Sequence, residues 1–261
     1  MKKIDSGVVR YFAFESLENA GVIQAVFSRC GGISKAPFAS LNTGGTVGDE
    51  PDAVAENRKR CFTSLGLNLE TMFDVWQVHS NDVVFAEAPR PAGQPHRRAD
   101  VILTDRPGVT LFMRFADCVP VFLVDPVKHV IGMVHAGWVG SVNRISAVAV
   151  QAMTRQYGCR PDDIRAAIGP SIGVEHYPIG EEVVERVKQS FGDDSNKLLV
   201  KYDDGIHLDL WKTNQLVLEA QGIERIEQGG ICTACHLEDW FSHRGEAGRT
   251  GRFGALLALA G

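Results

Sequence analysis

The sequence predicts an α+β fold in one domain spanning residues 1–261. Three observations carry that reading. Predicted strands follow one another more often than they alternate with helices. Apolar residues make up 44% and charged residues 23%, the balance of an ordinary globular chain. No repeat, Ser/Gly tract or charge run is long enough to act as a linker, although the length sits at the upper end of single-domain size or just reaches two small domains.

Residues 22–29 (VIQAVFSR) read as a strand ended by Gly31-Gly32, and Ser40-Leu-Asn-Thr-Gly-Gly-Thr-Val-Gly-Asp49 as a polar glycine-rich loop. A helix starts at Pro51-Asp52, because proline suits the first turn and an acidic side chain favours the positive end. Residues 73–79 and 83–87 read as two strands around a Ser80-Asn81-Asp82 hairpin turn, and the Pro-rich 88–98 as a surface connector. Four strands follow in close succession, over 100–104, 109–115, 119–124 and 130–135. One helix is expected from Ser141 to Tyr157, where apolar residues 145, 148, 149 and 153 keep helical spacing. Then come a strand over 164–168, helices over 180–191 and 209–221, a strand over 226–231 and a last apolar strand over 253–260.

With 27 basic and 32 acidic residues the net charge is −5, which leaves no overall basic field for nucleic acid or an anionic membrane. No apolar run approaches the ~20 residues of a membrane helix. The two lysines at the N-terminus have no apolar core behind them, so no secretory signal is expected there. The expectation is a cytoplasmic protein acting on a small molecule. Six cysteines are too sparse for a disulfide scaffold. Cys30, Cys61 and Cys159 lie in no motif with His or acidic partners.

His79, Cys118 and His135 stand at predicted strand ends, where a rigid sheet can hold side chains beside a loop. Two imidazoles and a thiolate, with water in a fourth position, form the ligand set of a catalytic zinc. Spacing alone leaves open the plainer alternative of a buried thiol and two unrelated histidines. Cys232-Thr-Ala-Cys235-His236 matches a c-type haem attachment pattern, but such attachment follows export. As a zinc site Cys232 and Cys235 are half a set, and they are expected near, but not in, the metal site. His96, His129, His176 and His207 are expected at the surface.

Gln77-Val-His-Ser80, Ala116-Asp-Cys-Val-Pro120 and His135-Ala-Gly-Trp138 occur in this order. Further words are Ser40-Leu-Asn42, Glu56-Asn-Arg58, Ala167-Ile-Gly-Pro170, Leu208-Asp-Leu210, Cys232-Thr233, Phe241-Ser-His-Arg244 and Thr250-Gly-Arg252. Together they resemble the YfiH/YlmD-type family, known as multicopper polyphenol oxidase (laccase-domain) proteins, as purine nucleoside phosphorylases and as peptidoglycan editing factors. The resemblance implies a four-layer α-β-β-α sandwich with mixed sheets, of the CNF-toxin/YfiH-like type. It also implies His79, Cys118 and His135 as metal-binding and catalytic residues, zinc as the metal with copper possible, and purine nucleoside and phosphate as substrates. Phosphorolysis of nucleosides and deamination of adenosine are the implied activities. The family usually has a basic residue after His-Ala-Gly-Trp, and here Val139 stands there.

Phosphorolysis needs an anion site. Arg58 suits it by bidentate pairing, and backbone N–H groups of the loop carrying Ser40 and Asn42 offer an anion nest. Arg244, Arg249 and Arg252 are further candidates, and Tyr177 and His243 candidate pocket residues by resemblance. Two other activities compete. The same three ligands are also the equatorial set of a blue-copper site, but the eight histidines contain no His-x-His pair of the kind that builds a trinuclear copper cluster. Cys118 with His135 as base would instead make a cysteine hydrolase editing cell-wall precursors.

Overall fold

The computed structural model describes residues 1–260 and builds them around two six-stranded sheets. The strands are β1 (Lys2–Asp5), β2 (Arg10–Ala13), β3 (Val22–Phe27), β4 (Met72–Phe73), β5 (Val83–Phe85), β6 (Val101–Thr104) and β7 (Thr110–Phe115). They continue with β8 (Val119–Asp125), β9 (Val130–Ala136), β10 (Arg165–Ile168), β11 (Leu199–Tyr202), β12 (Gly205–Leu208), β13 (Arg225–Gln228) and β14 (Phe253–Leu259). The helices are α1 (Pro51–Thr63), α2 (Trp138–Val142), α3 (Ile145–Tyr157), α4 (Glu181–Phe191), α5 (Ser195–Leu198) and α6 (Leu210–Glu219).

One sheet has the order β1-β2-β3-β14-β7-β4 and the other β13-β10-β8-β9-β6-β5, while β11 and β12 form a separate hairpin. Both large sheets are mixed: β4 runs parallel to β7, β5 to β6 and β13 to β10, and the remaining pairs are antiparallel. The central strands are apolar on both faces, as strands buried on two sides must be. In β8, Val119, Val121 and Leu123 enter a core shared with α3, α4 and α6, whereas Phe122 and Val124 enter the core between the sheets. That middle core takes Leu111, Met113 and Phe115 of β7 and Phe253, Ala255 and Leu257 of β14. A third core packs Cys61 and Phe62 of α1 on Phe112 and Leu256, the opposite face of the first sheet. Three cores in succession are the packing that a helix–sheet–sheet–helix order requires. No described helix is long and apolar enough to cross a membrane.

Three elements differ from the sequence expectation. The predicted hairpin over 73–87 does not form: β4 and β5 join different sheets, and residues 74–82 pass between them. The apolar residues of FDVWQVH suggest a strand, yet only Phe73, the end of β4, lies in one, and Trp76 makes an isolated bridge to Arg98. The single helix over 141–157 is two, because Arg144 in the left-handed region (φ 58°) separates α2 from α3. Strands β1, β2, β11 and β12, each only four residues long, have no counterpart in the sequence expectation.

Candidate active site

Adjacent antiparallel strands fix two of the three expected ligands. Pro120 pairs with His135 and Val119 with Ala136, so Cys118, just before β8, faces Gly137, just beyond β9. His79 arrives from the 74–82 crossing, and its Nε2 lies 3.8 Å from Cys118 Sγ. One ligand atom from each of His79, Cys118 and His135 lies within 4.8 Å of the others. A Cβ at position 137 would stand 2.8 Å from His79 Cδ2 and 3.1 Å from Cys118 Sγ, so only glycine lets the three approach.

Asp100, immediately before β6, orients both imidazoles. One carboxylate oxygen lies 2.8 Å from His135 Nδ1, which leaves Nε2 as the ring nitrogen for the cluster. The other accepts from Ser80 N at 2.7 Å and Val78 N at 3.2 Å, bracketing His79 in a left-handed conformation (φ 61°). Left-handed backbone is costly for a non-glycine residue and persists only where the surroundings enforce it. A carboxylate behind a ligating histidine is the usual support of a metal centre. Burial raises the Cys118 thiol, but His135 and His79 outweigh it and bring the thiol down to about 6. Burial lowers the His135 imidazolium, and Cys118 and Asp100 outweigh that and lift it to about 9. The donor set, its Asp100 support and the clearance at Gly137 therefore fit a single metal ion held by His79, Cys118 and His135.

Asp117, the residue before Cys118, is anchored by three donors. Its carboxylate accepts from Thr233 Oγ1 at 2.6 Å, Ser242 Oγ at 2.7 Å and Arg244 N at 2.6 Å, with its own φ at 80°. The Cys-Thr and Phe-Ser-His-Arg words of the sequence thus meet behind the thiol.

The cluster separates two cavities. The larger, about 380 Å³, is lined by Arg58, Arg114, Arg252, Gln77 and the Gly44–Gly45 backbone beside His79 and His135. Burial first, then the neighbouring Arg114, lowers the Arg58 guanidinium to about 10. Behind it the buried Asp74 carboxylate binds Arg90 and Arg114 at 2.7 Å each and His96 at 3.0 Å. The smaller, about 180 Å³, is lined by Cys118, Trp138, Ile172, Tyr177, His243 and Arg244.

The expected residues divide accordingly. Arg58 reaches the larger cavity, with Nε bonded to Thr43 O at 2.9 Å. Arg244, with Tyr177 and His243, lines the smaller, its guanidinium 5.1 Å from the Tyr177 ring centre. Asn42 is buried and spends its amide on Gly44, Asp49 and Arg252, while Ser40 Oγ bonds Arg29 O and Gly32 N; neither lines a cavity beside the cluster. They shape the glycine loop, aided by Asn57, which donates to Ser34, Ser40 and Asn42. Val139 lines neither cavity. Of the histidines expected at the surface, His129 and His176 are exposed. His96 instead lines the larger cavity, and His207 is buried between Val174 O and Asp204. Asp100, Asp117 and Arg114 escaped the sequence reading. The only signal for the two aspartates was an acid directly before an apolar strand or beside the ligand.

A family profile described as multi-copper polyphenol oxidoreductase laccase matches residues 23–260. The chain is 37% identical over 241 residues to a purine nucleoside phosphorylase of Deinococcus radiodurans, covering 92% of this chain and 90% of that one. It is 33% identical over 262 residues to purine nucleoside phosphorylase YlmD of Bacillus subtilis, covering 97% and 94%. The crystal structure of YlmD from Geobacillus stearothermophilus superposes with a TM-score of 0.92 at 32% identity, over 99% of this chain and 98% of that one.

Proposed function

The chain belongs to the multi-copper polyphenol oxidoreductase laccase family, and from that premise we propose that it is a cytoplasmic zinc enzyme acting on purine nucleosides by phosphorolysis. The observation that carries this reading is the arginine-lined cavity opening directly onto the His79–Cys118–His135 cluster. Phosphorolysis breaks the bond between C1′ of the ribose and the base nitrogen and joins C1′ to a phosphate oxygen. Free base and ribose 1-phosphate result.

Arg58, Arg114 and Arg252 bind the phosphate dianion by charge-assisted hydrogen bonds, with the Gly44–Gly45 backbone as wall. Trp138, Ile172 and Tyr177 offer the base an aromatic and apolar surface on the other side of the cluster. The sugar then spans the cluster between them. His79, Cys118 and His135 would hold a zinc ion, which would supply Lewis acidity at that point. Asp100 holds His135 in the tautomer with Nε2 free, and the anchored Asp117 fixes the backbone next to Cys118. The same pocket with water in place of phosphate suits deamination of adenosine to inosine and ammonia.

One thiolate and two imidazoles suit one zinc better than a multicopper array, since no described group of ligating side chains contains more than two histidines. Asp100, His135 and Cys118 in series also have the order of a cysteine hydrolase, the arrangement that favours a second reading, amide hydrolysis of cell-wall precursors. The deciding assay supplies adenosine, inosine and guanosine with and without phosphate and separates base, ribose 1-phosphate and deaminated product. Phosphate-dependent release of base supports the proposal. Phenol oxidation or amide hydrolysis with no nucleoside turnover overturns it.

A further inference from the structure

Glu175, His176, Cys232 and Cys235 form a second group whose donor atoms all lie within 4.8 Å of one another. We propose that these four side chains hold a structural zinc ion, distinct from the His79–Cys118–His135 centre.

By sequence, Cys232-x-x-Cys235 is only half of a zinc site. The fold supplies the other half. Ser171 forms a parallel bridge with Cys232, with Thr233 N donating to Ser171 O at 3.0 Å and Ser171 N to Ile231 O at 3.2 Å. That pairing sets the short Val174–His176 turn beside the two thiols and delivers an imidazole and a carboxylate to them. His176 Nε2 lies 3.1 Å and Glu175 Oε1 3.5 Å from Cys235 Sγ. The edges of a zinc tetrahedron with S, N and O ligands run to roughly 3.3–3.8 Å.

Two further details fit metal ligation better than incidental contact. Gly173 N donates to Cys232 Sγ at 3.1 Å, the kind of backbone support that ligating sulfurs receive. A Cβ at Gly173 would stand 2.5 Å from Glu175 Oε1, so glycine there lets the carboxylate fold back toward the sulfurs. As a thiol Cys235 can donate to the Glu175 carboxylate, but two thiolates and a carboxylate this close would repel one another unless a cation lay among them. Cys235 and His176 are exposed and give an ion its way in.

Four protein donors would close a coordination shell, as in structural zinc sites, whereas the first cluster offers three. The ion would pin the 173–177 and 231–236 segments together. Thr233, between the two cysteines, bonds Asp117, and Tyr177 follows His176 into the smaller cavity. The second ion therefore stiffens the wall behind Cys118 without touching substrate.

The inference does not rest on the purine reading, and its test counts metal. Zinc is measured in the full chain purified under reducing conditions, for wild type, Cys118→Ser, Cys235→Ser, His176→Ala and the Cys118→Ser/Cys235→Ser double variant. Wild type should hold about two ions, each single variant about one and the double variant none. Cobalt in the Cys118→Ser protein should give thiolate charge-transfer absorption that Cys235→Ser removes. Should Cys235→Ser and His176→Ala both keep the full wild-type zinc content, the proposal is overturned. A Cys118→Ser protein without zinc, its Cys232 and Cys235 joined as a disulfide, would overturn it too while leaving the first centre standing. If Cys118→Ser loses nothing and Cys235→Ser loses an ion, the second site holds and the first fails.

Discussion

Asp100 joins the two histidines of the cluster through one carboxylate: 2.8 Å from His135 Nδ1, and bonded by its other oxygen to the backbone on either side of His79. Asp100→Asn keeps the shape but turns one oxygen into a donor, which clashes with a His135 Nδ1–H. His135 then loses its tautomer and part of its basicity. Supporting carboxylates of this kind are worth about 10–100-fold in metal affinity or activity. Zinc affinity, measured by chelator competition, should fall by that factor while far-UV circular dichroism stays unchanged. Unaltered affinity and turnover would remove Asp100 from the site.

Legibility in the sequence followed the range over which each feature acts. Strands β8 and β9 are apolar at nearly every position because both faces are buried, so they and the ligands at their ends could be read locally. Asp100 and Asp117 could not. Each is one acid in an unremarkable context, and its partners are brought to it only by sheet pairing and by the return of residues 233–244. The 73–87 hairpin failed for a related reason: two short apolar stretches around a turn look alike whether they pair with each other or, as here, join different sheets. The Glu175–Cys235 group divides the same way, since the Cys-x-x-Cys half was visible and the other half was not.

Acid should weaken the fold through Asp74. Burial raises its carboxyl, but Arg114, Arg90 and His96 outweigh that and hold it below the usual carboxylate range. A depressed folded value means that the stabilisation is fully present above the ordinary value near 4 and is lost as pH falls through the folded value. Asp74→Asn should therefore cost about 1.5–3 kcal/mol at pH 7, because it weakens the charge-assisted bonds of two half-buried arginines. That gap to wild type should shrink as pH falls below about 4. Urea midpoints from pH 2.5 to 8 measure it, and a gap independent of pH would rule out this role.

Arg58 distinguishes the two purine activities. If its guanidinium holds phosphate, Arg58→Ala should raise the phosphate KM and weaken phosphorolysis far more than deamination, which uses only water. Charge-assisted hydrogen bonds contribute about 1.5–3 kcal/mol, which corresponds to roughly tenfold to a hundredfold in rate. Arg58 also bonds Thr43 O at 2.9 Å, so the variant could loosen the glycine loop. Loosening would depress both activities together, and equal losses would assign Arg58 to the loop or the nucleoside.

His79, Cys118 and His135 should behave as one unit, because an ion held by three side chains does not survive the loss of any. Single replacements by alanine should each abolish both purine activities, and a second replacement should add little, as groups acting together are not additive. Circular dichroism should stay near wild type for the His79 and Cys118 variants, since His79 is exposed and Cys118 half-buried, whereas buried His135 makes its variant the one whose folding must be checked. Cys118→Ser is the sharper variant, because a hydroxyl is a poor zinc ligand beside a thiolate. The zinc lost should be the ion that Cys235→Ser retains. A Cys118→Ser protein that keeps this ion but turns over nothing would make the thiolate the nucleophile and favour the hydrolase reading. Alkylation would then be expected at Cys118 with metal bound, whereas a ligating sulfur is shielded until the metal is stripped. Three single variants at wild-type turnover would move the active site elsewhere and leave the arginine cavity without a reaction to serve.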